Sequence, residues 1–219
     1  MSIVAINGKI SSGKDTVGRI IQYLTSDYRD KYDFVEWRDR VEKHGSNTYS
    51  SFEIKKFAGK LKQTASLLTG VPVEMFEDQE FKKLDMNPEW GMTYREFLQK
   101  LGTEAMRDGL HTNVWVNALF ADYHPTHYAV GAFDTKLTDG IPFYPNWIIT
   151  DMRFPNEMEA VVERKGITIK VVRPGVLVGT HASEIALDDA EFHYEIENNG
   201  TIEDLVEKVR EILIKENII

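Results

Sequence analysis

Residues 8–16 read Gly8-Lys9-Ile10-Ser11-Ser12-Gly13-Lys14-Asp15-Thr16, a G-x-x-x-x-G-K pattern between two short apolar segments. The segment before it, Ser2-Ile3-Val4-Ala5-Ile6-Asn7, is rich in β-branched residues and is typical of a buried parallel strand. The segment after it, Thr16–Leu24, has apolar side chains at helical spacing. Strand, glycine loop and helix in this order predict a phosphate-binding loop, because the loop N–H groups and the helix N-terminus can then face an anion.

Within this loop, the candidate ATP-binding residues are Ser12, Gly13, Lys14, Asp15 and Thr16. Lys14 is expected to reach the β- and γ-phosphates, and both Lys14 and Asp15 are expected to act in catalysis. Asp15 stands where Ser or Thr usually binds Mg²⁺, so either Asp15 or the next residue, Thr16, is the candidate metal ligand. The alternative is a glycine turn that binds nothing, and the strand and helix on either side argue against it.

Composition excludes several classes of protein. The 219 residues are 42% hydrophobic and 28% charged, which predicts one folded α/β domain with surface insertions. The 26 basic against 35 acidic residues give a net charge of −9, which argues against a long nucleic acid as partner. Cysteine is absent, so disulfides and thiolate metal sites are excluded. Neither a membrane span nor a signal peptide is indicated, and we expect a cytoplasmic protein.

Later segments continue an alternation of strands and helices. The predicted strands are Phe52–Phe57, Trp147–Thr150, Ile167–Val172 and Tyr194–Glu197. The predicted helices are Gly59–Leu68, Thr93–Arg107, Val114–Tyr123, Asn156–Lys165 and Ile202–Lys215. This order predicts an α/β fold with a mostly parallel central sheet and helices on both faces. The polar stretches Arg38–Ser51 and Tyr123–Pro145 are predicted to be surface insertions.

Several blocks of the chain resemble those of phage deoxynucleoside monophosphate kinases. They are Phe57–Lys62, Leu98–Glu104 followed by Arg107, His111 and Trp115-Val116, Ile149–Glu157, His181–Glu184, and Asn198–Thr201. The resemblance implies a three-layer P-loop kinase fold over residues 1–219, with an acceptor-binding region at about 38–122 and a lid at about 174–192. It implies transfer of the γ-phosphoryl group of ATP, with Mg²⁺, to deoxynucleoside 5′-monophosphates. We expect a phage protein that acts in the host cytoplasm on small-molecule substrates. Whether it forms a homodimer is left open.

The same resemblance assigns roles to individual residues. Arg107 would clamp the monophosphate, and Phe57, Lys62, Trp115 and Asp151 would complete the acceptor site. Four of these five residues have a structural alternative: a solvated Arg107 or Lys62, a core Trp115, and a salt bridge between Asp151 and Arg153.

The remaining assignments concern the phosphate donor. Arg153 would contact phosphate as a catalytic residue, Arg173 would reach the ATP phosphates, and Asn199 and Gly200 would pass close to the adenine. Two other functions stay open on the sequence: a dephospho-CoA kinase, and a regulatory protein that binds ATP without phosphorylating a small acceptor.

Overall fold

The computed structural model describes residues 2–44, 49–129, 141–175 and 185–219. The chain forms two compact units, one of residues 1–55 with 123–219 and the other of Lys56–Asp122. The strands are β1 (Ile3–Gly8), β2 (Phe52–Lys55), β3 (His127–Ala129), β4 (Ile141–Phe143), β5 (Asn146–Ile149), β6 (Ile167–Val172) and β7 (Tyr194–Glu197). The helices are α1 (Lys14–Leu24), α2 (Phe34–His44), α3 (Ala58–Thr69), α4 (Tyr94–Gln99), α5 (Val114–Phe120), α6 (Pro155–Glu163) and α7 (Ile202–Lys215).

A five-stranded parallel sheet in the order β2-β5-β1-β6-β7 organises the first unit. The first strand of the chain is therefore at the centre of the sheet. The chain leaves β1 toward β2 on one side and leaves β6 toward β7 on the other. Such a reversal opens a crevice at the carboxyl ends of the strands, where ligands of open α/β sheets bind. The glycine loop follows β1 at this edge.

Both faces of the sheet are covered, as the sequence predicts. Val4 and Ile6 of β1 are buried in one cluster with residues of α1 and α7. On the other face, α6 packs against β1 and β6 and buries Ala160 and Val161. Alternate side chains of β1 thus enter two apolar layers, and each fully buried Ile or Val stabilises the fold by about 1.5–3 kcal/mol. The predicted α/β architecture is confirmed.

The first predicted surface insertion, Arg38–Ser51, overlaps helix α2, whose residues 38–44 are half-buried or exposed. Phe34 and Trp37 of this helix are buried, and their rings lie 5.8 and 5.7 Å from the ring of Tyr23. Most other residues of this helix are charged. The average polarity of the segment therefore hides the narrow apolar face that Phe34 and Trp37 form. Of the second insertion, β3 and β4 pair antiparallel, and residues 130–140 lie outside the described residues.

The second unit is helical. Its core contains Ala65, Phe76, Met86 and Phe97. The helix predicted at Thr93–Arg107 is α4 continued by a π-helical segment, Lys100–Asp108. Short 3₁₀ turns at Val73–Glu77 and Phe81–Lys83 precede α4.

Two sequence predictions lie partly or wholly beyond the described residues. The predicted lid at about 174–192 includes residues 176–184, and the His181–Glu184 block falls within this gap.

A search for transmembrane segments across the described residues finds no helix with the length and apolar character that a bilayer requires.

Candidate functional site

The loop after β1 has a backbone that only glycine permits at two positions. Gly13 has φ 100° and ψ 12°, in the left-handed region that side chains disfavour. At Gly8, a Cβ atom would lie 2.3 Å from the Ser12 Oγ and 2.8 Å from the Val171 carbonyl oxygen. The loop is closed by the Ser12 N–H, which donates to the Lys9 carbonyl at 3.1 Å. The chain therefore curls tightly at the N-terminus of α1, as a phosphate cradle requires.

The Ser12 side chain is buried inside this curl. Ser12 is 1% exposed, and its Oγ has no hydrogen-bond partner among the residues that the structure describes. A buried hydroxyl without a partner carries a desolvation cost of about 1–3 kcal/mol. At the N-cap of α1, Gly13 supplies no side-chain cap. An orphaned hydroxyl at the N-terminus of a helix that has no side-chain cap fits a loop that is completed by a bound anion.

The predicted cation and metal ligands stand on the first turn of α1. Lys14 and Thr16 are half-buried and Asp15 is exposed. A carboxylate and a hydroxyl are the oxygen donors that Mg²⁺ prefers, so these residues fit the ion. Throughout the described ranges, no group of three or more His, Asp or Glu side chains could hold a metal. This donor set is too small for a closed protein cage and suits an ion whose remaining ligands are phosphate oxygens and water.

The segment after β5 lies beside the loop strand. The Asn7 Nδ2 donates to the Met152 carbonyl at 2.9 Å, which joins the end of β1 to the turn containing Asp151 and Arg153. The Glu157 carboxylate accepts from the Arg153 N–H at 2.7 Å and from the Phe154 N–H at 3.1 Å. Asp151 and Arg153 are thus positioned at the carboxyl edge of the sheet.

Three predicted ATP-binding residues are placed at the same edge. Arg173 directly follows β6 and is exposed. Asn199 and Gly200 follow β7 and are also exposed. The Asn199 side chain contacts Glu197 at 3.2 Å and Lys208 at 3.3 Å.

Sequence reasoning missed Asn198. Its Nδ2 donates to the Ser12 carbonyl at 2.8 Å, although the two residues are 186 positions apart. The block Asn198–Thr201 pointed to this turn, but the interpretation chose the asparagine next to the glycine. The sequence pattern is enough to identify the turn. It does not show which of the two adjacent asparagine side chains faces the loop.

A second missed contact joins the loop to the segment after residue 184. The Lys9 ammonium forms an ion pair with the Asp188 carboxylate. Lys170 of β6 donates to the Asp188 carbonyl at 2.9 Å. Asp188 therefore lies at the loop within the part of the predicted lid that is described.

All the predicted acceptor residues except Asp151 belong to the second unit. Lys62, whose side chain is 12% exposed, pairs with Glu77 at 2.5 Å, and Lys56 approaches the same carboxylate at 3.4 Å. Burial raises the pKa of Glu77, but the two ammonium groups outweigh burial and hold the pKa below its ordinary value. Glu77 therefore pairs with both ammonium groups.

Phe57 and Trp115 are buried in the same unit. Phe57 packs edge-on against Phe120 with 6.3 Å between ring centres. The Trp115 indole N–H donates to the Gly102 carbonyl at 2.9 Å, which ties α5 to the π-helical segment. Arg107 stands half-buried on this segment. The contacts of Trp115 are those of a core tryptophan, the alternative that the sequence left open.

Comparison with known proteins gives consistent matches. The sequence model of the deoxynucleotide monophosphate kinase family matches residues 47–209. A protein of Acanthamoeba polyphaga mimivirus, named as a candidate deoxynucleotide monophosphate kinase, is 28% identical over 165 residues, which are 71% of this chain and 79% of that protein. The deoxynucleotide monophosphate kinase of Enterobacteria phage T4 is 28% identical over 130 residues, 59% of this chain and 48% of its own length. The chain thus matches about half of the phage protein.

The family match covers most of the residues singled out above, from Phe57 to Asn199. The match begins after the loop at residues 8–16, whose phosphate-binding role is supported by its own sequence pattern and geometry.

Proposed function

The chain belongs to the deoxynucleotide monophosphate kinase family, and from this membership we propose that it transfers the γ-phosphoryl group of ATP to deoxynucleoside 5′-monophosphates. The products would be ADP and a deoxynucleoside diphosphate, a precursor for DNA synthesis. The observation that carries the choice of a triphosphate donor is the curled loop around the orphaned Ser12 hydroxyl at the N-terminus of α1. The two relatives carry the same activity in their names, which supports the choice of acceptor.

In this reaction an oxygen of the acceptor monophosphate attacks the γ-phosphorus, and the bond from that phosphorus to the β,γ-bridging oxygen breaks. The second pKa of a phosphate monoester is about 6, so the attacking oxygen is already unprotonated at neutral pH. No general base and no covalent intermediate are required. Catalysis then consists of positioning two anions in line and offsetting their charge.

We assign the donor side to the first unit. The loop N–H groups and Lys14 would bind the β- and γ-phosphates, with Arg153 and Arg173 as further cations at the same edge. Asp15 or Thr16 would hold Mg²⁺, which when bound offsets phosphate charge. The turn with Asn199 and Gly200 would border the adenine.

We assign the acceptor side to the second unit. Arg107 would bind the monophosphate through its guanidinium fork, and Lys62 would contribute a second cation. Asp151 belongs to the first unit, where it follows β5, and it would hydrogen-bond the acceptor nucleotide or orient Mg²⁺ through water. Phe57 and Trp115 would shape the site from the core.

The direct test is to incubate the protein with ATP, Mg²⁺ and one acceptor at a time, each deoxynucleoside monophosphate and dephospho-CoA, and to separate the products. We expect ADP and a deoxynucleoside diphosphate in equal amounts with at least one acceptor. Product with dephospho-CoA alone would instead identify a dephospho-CoA kinase. ATP binding without any phosphorylated acceptor would identify a regulatory protein.

Lys14→Ala tests the phosphate loop. We expect turnover to fall at least about 100-fold, because a cation on the transferred phosphoryl group is lost, while the circular dichroism spectrum stays unchanged. Lys43→Ala, on the exposed end of α2, is the matched control and should keep full activity. Full activity of Lys14→Ala would overturn the assignment of the loop.

Arg107→Ala tests the acceptor site. We expect the KM for the monophosphate to rise about tenfold or more, with the KM for ATP unchanged, because a bidentate phosphate contact is removed. An unchanged KM for the monophosphate in initial-rate measurements would remove Arg107 from the acceptor site.

A further inference from the structure

Asn198 makes a contact with the donor loop that the proposed function does not use. Its Nδ2 donates to the Ser12 carbonyl at 2.8 Å. The Asn198 N–H donates to the Val172 carbonyl at 2.7 Å, so the end of β6 holds the backbone from which this side chain extends. The amide is therefore delivered to the loop by the sheet and not by a free surface turn.

The contact determines which way one peptide group faces. In a trans peptide the C=O and N–H bonds point to opposite sides. When Asn198 holds the Ser12 carbonyl, the N–H of the same peptide, which belongs to Gly13, must point away from Asn198.

Without this contact the peptide has a second orientation available. Glycine adopts positive and negative φ about equally well, so the Ser12–Gly13 peptide can turn over at low cost. The turned peptide would present a carbonyl oxygen where the Gly13 N–H now stands. At Gly13, a Cβ would lie 2.4 Å from the Asn198 Nδ2, so this amide and the absent side chain also occupy the same space.

We propose that Asn198 is a positioning residue for the phosphate loop: it holds the Ser12 carbonyl so that the Gly13 N–H is fixed as a donor to the triphosphate. The inference rests on the proposed function of the loop. It assigns Asn198 to the phosphates, in contrast to the adenine role proposed for the adjacent Asn199 and Gly200.

The test uses the full chain and two ligands, ATP and inorganic tripolyphosphate, with affinities measured by isothermal titration calorimetry in the presence of Mg²⁺. Asn198→Ala should weaken the binding of both ligands by the same factor, about tenfold, because one donor to a charged acceptor is no longer held in place. The melting temperature without ligand should change little.

Asn198→Asp keeps the shape of the side chain and removes the donor. Its carboxylate repels the Ser12 carbonyl and attracts the Gly13 N–H, so it favours the turned peptide. We expect a loss of tripolyphosphate affinity larger than that of Asn198→Ala, about 100-fold, since a like charge is also added near the phosphates. This isosteric variant keeps the test decisive if the alanine variant does not fold.

Asn117→Ala and Asn117→Asp are the matched controls, because Asn117 is exposed on α5. Both should bind tripolyphosphate within twofold of the unmodified protein. The proposal is overturned if the Asn198 variants also bind it within twofold, or if they lose ATP affinity alone, which would assign the amide to the nucleoside. If the unmodified protein binds neither ligand, the assignment of the phosphate loop is wrong. This result differs from the two outcomes that would overturn the role of Asn198 alone.

Discussion

The Ser12 hydroxyl is buried in the loop without a hydrogen-bond partner among the described residues, so the free protein carries the cost of that hydroxyl. A ligand or an ordered water that supplies a partner would recover the cost. The residue therefore links the stability of the loop to its occupancy.

Ser12→Ala should leave the melting temperature of the free protein unchanged or slightly higher, because an unsatisfied buried group is removed. The rise in melting temperature on adding ATP and Mg²⁺ should become smaller than in the unmodified protein, because stabilisation by a bound ligand increases with its affinity. Differential scanning fluorimetry measures both quantities. Ser51→Ala, at an exposed position, is the control. A large fall in the melting temperature of free Ser12→Ala would show that the hydroxyl has a partner.

Adjacent residues with the same side chain can have different roles, as Asn198 and Asn199 do. Asn198 reaches the loop, whereas Asn199 contacts Glu197 and Lys208. The sequence identifies the turn, but the orientation of each amide depends on the pairing of β7 with β6.

At the scale of elements, Glu77 joins helix α3 to the 3₁₀ turn Val73–Glu77. Lys62 of α3 and Lys56 just before it both contact this carboxylate. The pKa of Glu77 is lowered in the folded protein. The ion pairs therefore stabilise the folded protein at pH values above the pKa of the unfolded carboxyl, about 4.3. That stability is lost as the pH falls through the lower folded pKa.

Glu77→Gln should lower the free energy of unfolding at pH 7 by about 0.2–1 kcal/mol, the range of partly exposed ion pairs. The difference from the unmodified protein should shrink below about pH 4 and vanish where the carboxyl is protonated in both states. Urea unfolding at a series of pH values measures it. Glu74→Gln, exposed on the same turn, should show a smaller effect at pH 7. A difference that persists at pH 2.5 would contradict the ionic explanation.

The start of the helix between Thr93 and Asp108 can be predicted from local sequence, whereas its change of helix type cannot. Thr93 and Glu96 form a capping box, which the local sequence encodes. The change to π-helix after Gln99 is not visible in apolar spacing. Gly102, within the π-helical part, accepts the Trp115 indole N–H, and a Cβ at Gly102 would lie 2.9 Å from Leu61. The contacts of this segment with α3 and α5 are tertiary.

For the whole molecule, a net charge of −9 coexists with a proposed site for polyanionic nucleotides. A few local cations and helix N–H groups can bind a small phosphate ligand. Binding a DNA duplex requires many basic side chains, because many phosphates must be neutralised. The size of the ligand therefore decides whether the overall charge matters.

We expect no retardation of a 30-base-pair duplex in gel-shift assays at about 150 mM salt with micromolar protein, because long-range repulsion opposes contact with many phosphates. ATP binding under the same conditions is the positive control. Saturable retardation of the duplex would show a basic surface that the composition hides. The homodimer left open by the sequence stays a prediction for analytical ultracentrifugation.

The sequence by itself determined the features that depend on near neighbours. The G-x-x-x-x-G-K pattern between an apolar strand and an amphipathic helix located the loop, and the spans of β6, β7 and α7 agree with those predicted. Only the tertiary structure decided which side chains meet at the carboxyl edge of the sheet. Asn7 contacts Met152, and Asn198 contacts Ser12, because the order β5-β1-β6-β7 places distant strand ends side by side. Such contacts follow from topology, which no local pattern of residues encodes.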